Sequence, residues 1–305
     1  MVIRPLTNEW LDPARDLYNM LTRRLPHCFP AGRSEFREAM EAPPELANAP
    51  LQFAAIEGDW LQGFAFGSVC DDSDGPARVA EPGDGLLTGL YCRSSAAAEA
   101  LISAALRHLG LAGAARFVAF DAGESRNHLR FFNSGFPACS ETLAFVPQSL
   151  ARSGFVVATR ELHLTRDLIC EETGPPSPLK SPPGIGARWI SDHPALLELH
   201  AMRRERAIAR CEGRLLQSRL NAAAARSRGY IQWLGVDPEF QGRGIGRFLL
   251  REMLRRMALL GMKQVFLTTG SQNWRAQPLY YSEGFVLAGT SITMIKDTAP
   301  RSSVL

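Results

Sequence analysis

No two cysteines in this chain stand in a C-x-x-C spacing. Cys28, Cys70, Cys92, Cys139, Cys170 and Cys211 are scattered along it, which argues against a zinc site or a disulfide frame and for free thiols in a reducing compartment. The six histidines show no ligand spacing either, so no metal is expected. Long apolar runs are absent. None reaches the length of a membrane span, and the N-terminus lacks the basic-then-apolar layout of a secretory signal, so a cytoplasmic protein without a membrane partner is expected. A large excess of one charge is missing as well: a net charge of +3 is too small to argue for a nucleic-acid partner, and none is expected. What the chain does have is apolar content of 46%, ample for packed cores, and 305 residues, enough for two domains.

The most informative segment is Val236-Asp237-Pro238-Glu239-Phe240-Gln241-Gly242-Arg243-Gly244-Ile245-Gly246. The run Tyr230–Val236 before it has strand character. After it, Phe248, Leu249, Met253, Leu254 and Met257 recur at helical spacing. The glycines therefore sit at a strand-to-helix junction. Three glycines at alternate positions allow a turn whose N–H groups point into one concavity, and the helix behind adds its unpaired amides and positive dipole end. That is a cradle for a diphosphate. It lacks the Gly-Lys-Ser/Thr ending of nucleoside triphosphatases and the glycine spacing of the dinucleotide fingerprint.

Position for position the segment resembles the V-x-P-x-x-Q-G-x-G-x-G signature of the GNAT acetyltransferase superfamily. Downstream, Asn273, Ala276, Leu279, Tyr280, Gly284 and Phe285 resemble that superfamily's N-x-x-A-x-x-L-Y-x-x-x-G-F pattern, with an apolar strand, Gln264–Thr269, in between. The resemblance implies an enzyme that takes acetyl-CoA as donor and acetylates a primary amine of a small molecule or peptide. It implies that the amides of Gln241, Gly242, Arg243, Gly244, Ile245 and Gly246 grip the diphosphate. The backbone from Leu234 to Val236 would pair with the pantetheine arm and polarise the thioester carbonyl, and Asn273 would anchor that arm or a water. Tyr280 stands where the family's general acid stands, to protonate the departing thiolate. Tyr281 is the alternative, which the register to Gly284-Phe285 disfavours. Arg243 and Arg247 either reach phosphates or are solvated helix arginines. The base that accepts the amine proton stays open between Asp237, Glu239, a water chain and a residue elsewhere.

The order of elements repeats. Val2–Pro5 reads as a strand, residues 9–25 and 34–40 as helices, residues 51–57 and 60–69 as a hairpin about Gly58-Asp59, then strand 85–91, helix 96–109, strand 116–121 and a helix ending near Gly135-Phe136. Where the cradle should follow, this half has Cys92-Arg93-Ser94-Ser95-Ala96-Ala97-Ala98, and Phe131 has no hydroxyl to donate. Ser94 and Ser95 read best as helix caps. The expected fold is α/β (α+β): two tandem GNAT-like domains, each a mixed, mostly antiparallel twisted sheet flanked by helices. A degenerate copy over residues 1–169 precedes a proline-rich linker over 170–184 and an acetyl-CoA-binding copy over 185–305. In the second copy residues 194–209 and 215–226 read as helices, which leaves no room for a central hairpin and leaves a sheet edge bare.

Read as helical, Arg203, Arg206, Arg210 and Arg214 form one basic stripe. A solvated face is the preferred reading, and a lip selecting an anionic acceptor the alternative. The rival function classes are a non-catalytic acyl-CoA-binding or regulatory protein, disfavoured by Tyr280 beside an intact cradle, and a structural partner. The bare edge leaves a homodimer open.

Overall fold

A computed structural model describes residues 1–40, 48–70, 79–121, 139–168, 181–218 and 220–298. The chain divides into two compact units, Met1–Glu161 together with Thr290–Leu305, and Leu162–Gly289. The division therefore falls ahead of the expected 169/185 boundary, and the first unit draws on a strand encoded far along the chain, while the second is the continuous stretch Leu162–Gly289. The expected linker lies largely outside the described residues.

In the first unit the elements run β1 (Val2–Pro5), α1 (Leu11–Thr22), α2 (Arg33–Met40), β2 (Asn48–Glu57), β3 (Trp60–Val69), β4 (Gly85–Cys92), α3 (Ser95–Leu111), β5 (Arg116–Ala119), β6 (Cys139–Ser140) and α4 (Val146–Arg152). They match the sequence reading closely. Leu11, Ala14, Leu17 and Tyr18 repeat at helical spacing along α1 and are buried, while the β2–β3 hairpin turns at Gly58, whose φ is +58°. β4 and β5 pair in parallel from Gly85–Phe117 to Leu87–Ala119. The C-terminal strand residues Met294–Asp297 close the sheet against β5, in antiparallel register with Ala119–Arg116. The helix expected before Gly135-Phe136, with Phe131, lies outside the described residues.

The strand β7 (Val156–Asp167) enters the second unit at Leu162 and lies beside β12 (Gln264–Gly270). The unit's other elements are β8 (Gly186–His193), β9 (Leu196–Arg203), β10 (Arg206–Leu215), β11 (Arg228–Val236), α5 (Ile245–Leu259), α6 (Gln277–Ser282) and the start of β13 (Val286–Asp297). The strand order is β7-β12-β11-β10-β9-β8. The helices expected at 194–209 and 215–226 are not formed, and the hairpin expected to be missing is present as β9–β10. The arginines suggested a helix by their spacing, but the apolar residues decide the period. Leu197, Leu199 and Ala201 alternate inward toward α5, and the residues between them do not. The hairpin turns at Arg204-Glu205 with Arg204 at φ +56°, a conformation usually given to glycine or asparagine. Leu216–Ser218 and Ala223–Ala225 form short 3-10 turns instead. The units differ in the connection after β1 and after β8: α1 and α2 follow β1 in the first, and only Pro194-Ala195 follows β8 in the second.

The core of the second unit lies between the sheet and α5. Ile245, Phe248, Leu249, Met253, Leu254 and Met257 pack on Leu199, Cys211, Ile231 and Val265. Gly213 permits this approach, since a β-carbon there would stand 2.4 Å from the Met257 methyl. His163 on β7 is buried, and burial pushes its pKa down to about 4 from 6.5. The unfolded chain thus takes up a proton that the folded chain refuses. The stability this contributes is complete above 6.5 and is lost as the pH falls toward 4. Urea unfolding from pH 7 to 4 is expected to show a steeper acid loss for the native chain than for His163→Gln; equal slopes would remove His163 from the account.

Candidate active site

β11 and β12 run parallel in register from Arg228–Gln264 to Ile231–Leu267 and then separate. A bulge marks the place. Gly213 pairs with Ile231 but Glu212 with Trp233, so Gln232 is an extra residue in β11, and a bulge of this kind bends its strand. From Trp233 to Val236 the strand keeps β10 on one side, while toward β12 its edge has no strand pairing among the described residues.

That edge leads into the cradle. A short 3-10 turn, Pro238–Phe240, carries the chain to Gly242 at φ +74° and Gly244 at φ +79°, values that disfavour any residue with a β-carbon. Among the described residues the backbone N–H groups of Gly242, Arg243, Gly244, Ile245, Gly246 and Arg247 have no protein acceptor; the first amide bonded within the helix is that of Phe248, to Gly244 at 3.0 Å. Six donors thus gather at the N-terminus of α5. Gln241 braces the turn, its Nε2 donating to the Val236 carbonyl at 3.0 Å.

α6 forms the facing wall. Asn273 organises the turn before it: the side-chain amide donates to Thr269 Oγ1 at 3.1 Å, and the carbonyl accepts from the Ala276 amide at 3.1 Å. Gly284, at φ +81°, ends the helix. Phe285 then turns back under it, its ring edge-on to Tyr280 at 6.0 Å between centroids. The Gly-Phe pair is thus a helix stop that fixes the tyrosine. Tyr280 is 7% exposed and Tyr281 45%. Burial, then the neighbouring Cys211 and Tyr230, push the Tyr280 hydroxyl up to about 12, so it holds its proton across the neutral range.

These parts line one cleft of about 1060 Å³. Of the residues singled out from sequence, Leu234, Val236, Gln241, Gly242, Gly244, Ile245, Gly246, Arg247, Asn273 and Tyr280 line it. Arg243 does not. Its guanidinium lies over Phe240, 5.5 Å from the ring centroid, and donates to the Glu239 carbonyl at 3.1 Å. Arg247 borders the cleft but is held by Glu283 at 3.1 Å and Ser282 at 2.9 Å. Trp274, Arg275 and Leu279 also line the cleft and were not anticipated, although Trp274 and Arg275 stand inside the second motif at its unspecified positions. Among the described residues, the charged ones that line it are Arg247 and Arg275, a sign suited to an anion. The two candidate bases on the turn are tied up elsewhere: Asp237 and Glu239 both bind Arg206, at 2.7 and 3.2 Å. The other arginines of the supposed stripe are spread along the hairpin, with Arg210 paired to Glu212 at 3.2 Å.

The first unit repeats the parallel pair but not the cradle. Ser94 Oγ caps α3 by accepting from the Ala97 amide at 3.2 Å, a bond that engages a donor the second unit leaves open. Among the described residues no group of three His, Cys, Asp or Glu side chains is placed to hold a metal. Cys28, Cys70, Cys92, Cys139 and Cys211 form no disulfide among the described residues, and Cys170 lies outside them. No described helix is long and apolar enough to cross a membrane.

Residues 163–285 match the profile of the acetyltransferase (GNAT) family. A mycothiol acetyltransferase of Propionibacterium freudenreichii is 37% identical over 67 residues, 22% of this chain and 22% of that protein. An N-alpha-acetyltransferase RimI of Mycobacterium tuberculosis is 48% identical over 59 residues, 19% of this chain and 35% of that protein. The chain thus spans about a quarter of the length of the mycothiol acetyltransferases it matches. A solved tandem GNAT protein from the clavulanic acid biosynthesis pathway superposes with a TM-score of 0.67 at 12% identity, over 99% of both chains. The chain carries a GNAT acetyltransferase domain in residues 163–285 and has, over its length, the fold of a tandem GNAT protein.

Proposed function

We propose that the second unit transfers an acetyl group from acetyl-CoA to a primary amine of a small molecule or peptide. One observation carries the reading: the unengaged amides of Gly242, Gly244, Ile245, Gly246 and Arg247, an open strand edge and a buried, protonated tyrosine share one cleft that, among the described residues, is lined by arginine and free of carboxylates. The amides of Gly242 to Arg247 suit the diphosphate. The edge from Leu234 to Val236 suits the amide-bearing arm, which it takes as an added strand, with an N–H left to polarise the thioester carbonyl. The amine nitrogen forms a bond to the acetyl carbon, the carbon–sulfur bond breaks, and the thiolate takes the proton of Tyr280. The amine proton passes to water or to a base outside the cleft lining.

Two relatives carry the names mycothiol acetyltransferase and N-alpha-acetyltransferase RimI. They set the range from which this acceptor is sought. The test joins calorimetry with CoA to a thiol-release assay with acetyl-CoA over amino acids, polyamines, aminoglycosides and peptide N-termini. Binding with turnover on at least one amine is expected. Binding without turnover on any would favour a non-catalytic acyl-CoA sensor, and no binding would end the reading.

A further inference from the structure

Trp274 is 69% exposed yet lines the donor cleft, and the core cluster of its unit does not include it. Its neighbour Arg275 lies over the indole, 5.0 Å from the ring centroid, and lines the same cleft. Apart from the indole, Arg275 has one contact, to Gln241 Oε1 at 3.4 Å, and no carboxylate partner among the described residues. Arg247, the other cation of the cleft, is committed to Glu283. So one free guanidinium and one exposed indole stand beside the amide cradle, Arg275 within reach of its first residue.

An exposed tryptophan in a cleft is a stacking surface, and a guanidinium on one face of an indole leaves the other face for a planar ligand. The coenzyme's nucleoside begins directly beyond the diphosphate, so a group that holds it must adjoin the cradle. We propose that Trp274 and Arg275 are the seat for that end of the coenzyme: the indole stacks on adenine, and the guanidinium meets the ribose phosphate as a planar, bidentate donor. The inference rests on the acetyl-CoA reading and adds to it a subsite for a purine and a phosphomonoester.

The test is calorimetric, on the full chain, with CoA, dephospho-CoA and phosphopantetheine as probes. Native protein is expected to bind CoA more tightly than dephospho-CoA. Arg275→Gln abolishes that preference and leaves dephospho-CoA binding unchanged. Trp274→Ala weakens CoA and dephospho-CoA alike by about tenfold, leaves phosphopantetheine unaffected, and is rescued by Trp274→Phe. Equal affinity of native protein for CoA and dephospho-CoA would overturn the arginine's part. Trp274→Ala without effect on CoA, or with an equal loss for phosphopantetheine, would overturn the tryptophan's. Native protein that binds none of the three removes the donor reading itself, and the subsite with it.

Discussion

Replacing Tyr280 with Phe is expected to lower kcat by ~10²- to 10⁴-fold, the range for removal of a positioned general acid, with CoA affinity unchanged. The substitution keeps the ring that packs on Phe285 and removes only the hydroxyl, so a loss of turnover reports chemistry and not folding. Tyr281→Phe, at a side chain outside the cleft lining, serves as the control and should leave kcat as it was. The pH profile discriminates further. With its hydroxyl pushed up to about 12, Tyr280 imposes no alkaline fall in rate between pH 7 and its ordinary value of 10.0. Because the folded value is the higher, the stability this contributes is complete below 10.0 and drains away as the pH climbs toward 12. Full turnover in Tyr280→Phe would show that the thiolate leaves unassisted or is protonated by water.

The second large effect concerns a fragment. Residues 184–305 alone are expected to be insoluble or unfolded, though not for want of a hairpin. Such a fragment loses Leu162–Asp167, the strand beside β12, and with it Leu164, which is fully buried in the core beneath α5. Losing one buried leucine costs ~2–5 kcal/mol, against a whole-domain stability of ~5–15 kcal/mol, and here a strand's hydrogen bonds go with it. The fragment also keeps residues 290–297, whose partners on β5 and β6 are absent, so Ile292 and Met294, both buried in the full chain, become an uncovered apolar edge. Gel filtration and far-UV circular dichroism decide the matter. A monomeric, folded fragment that binds CoA as the full chain does would refute this account of the unit.

Much of the fold could be read from the residues because local and tertiary preferences agree. α1, the β2–β3 hairpin and α5 each have an apolar period that matches the element formed, and two of the cradle's three glycines, Gly242 and Gly244, take positive φ. The hairpin β9–β10 was misread for a definable reason. Its arginines recur at helical intervals while its buried residues alternate, and solvent-facing charge carries no folding force comparable to burial. The unit boundary was hidden because no local signal marks a strand that pairs with residues a hundred positions away. Tyr280, Asn273 and the cradle, which line one cleft, could be singled out because they sit in motifs with fixed spacing. Trp274 and Arg275 were not, since their meaning depends on which cleft their turn borders, and spacing is silent on that.

The single inserted residue at Gln232 bears on how ready this protein is for its ligand. Two strands that would otherwise zip to their ends are held apart by covalent connectivity, so the slot stands open before anything arrives. On the acetyl-CoA reading, the donor's arm meets an edge that is already without strand pairing among the described residues. Affinity is then spared a reorganisation penalty, and the rate of capture is set by diffusion and charge instead of by a gating motion.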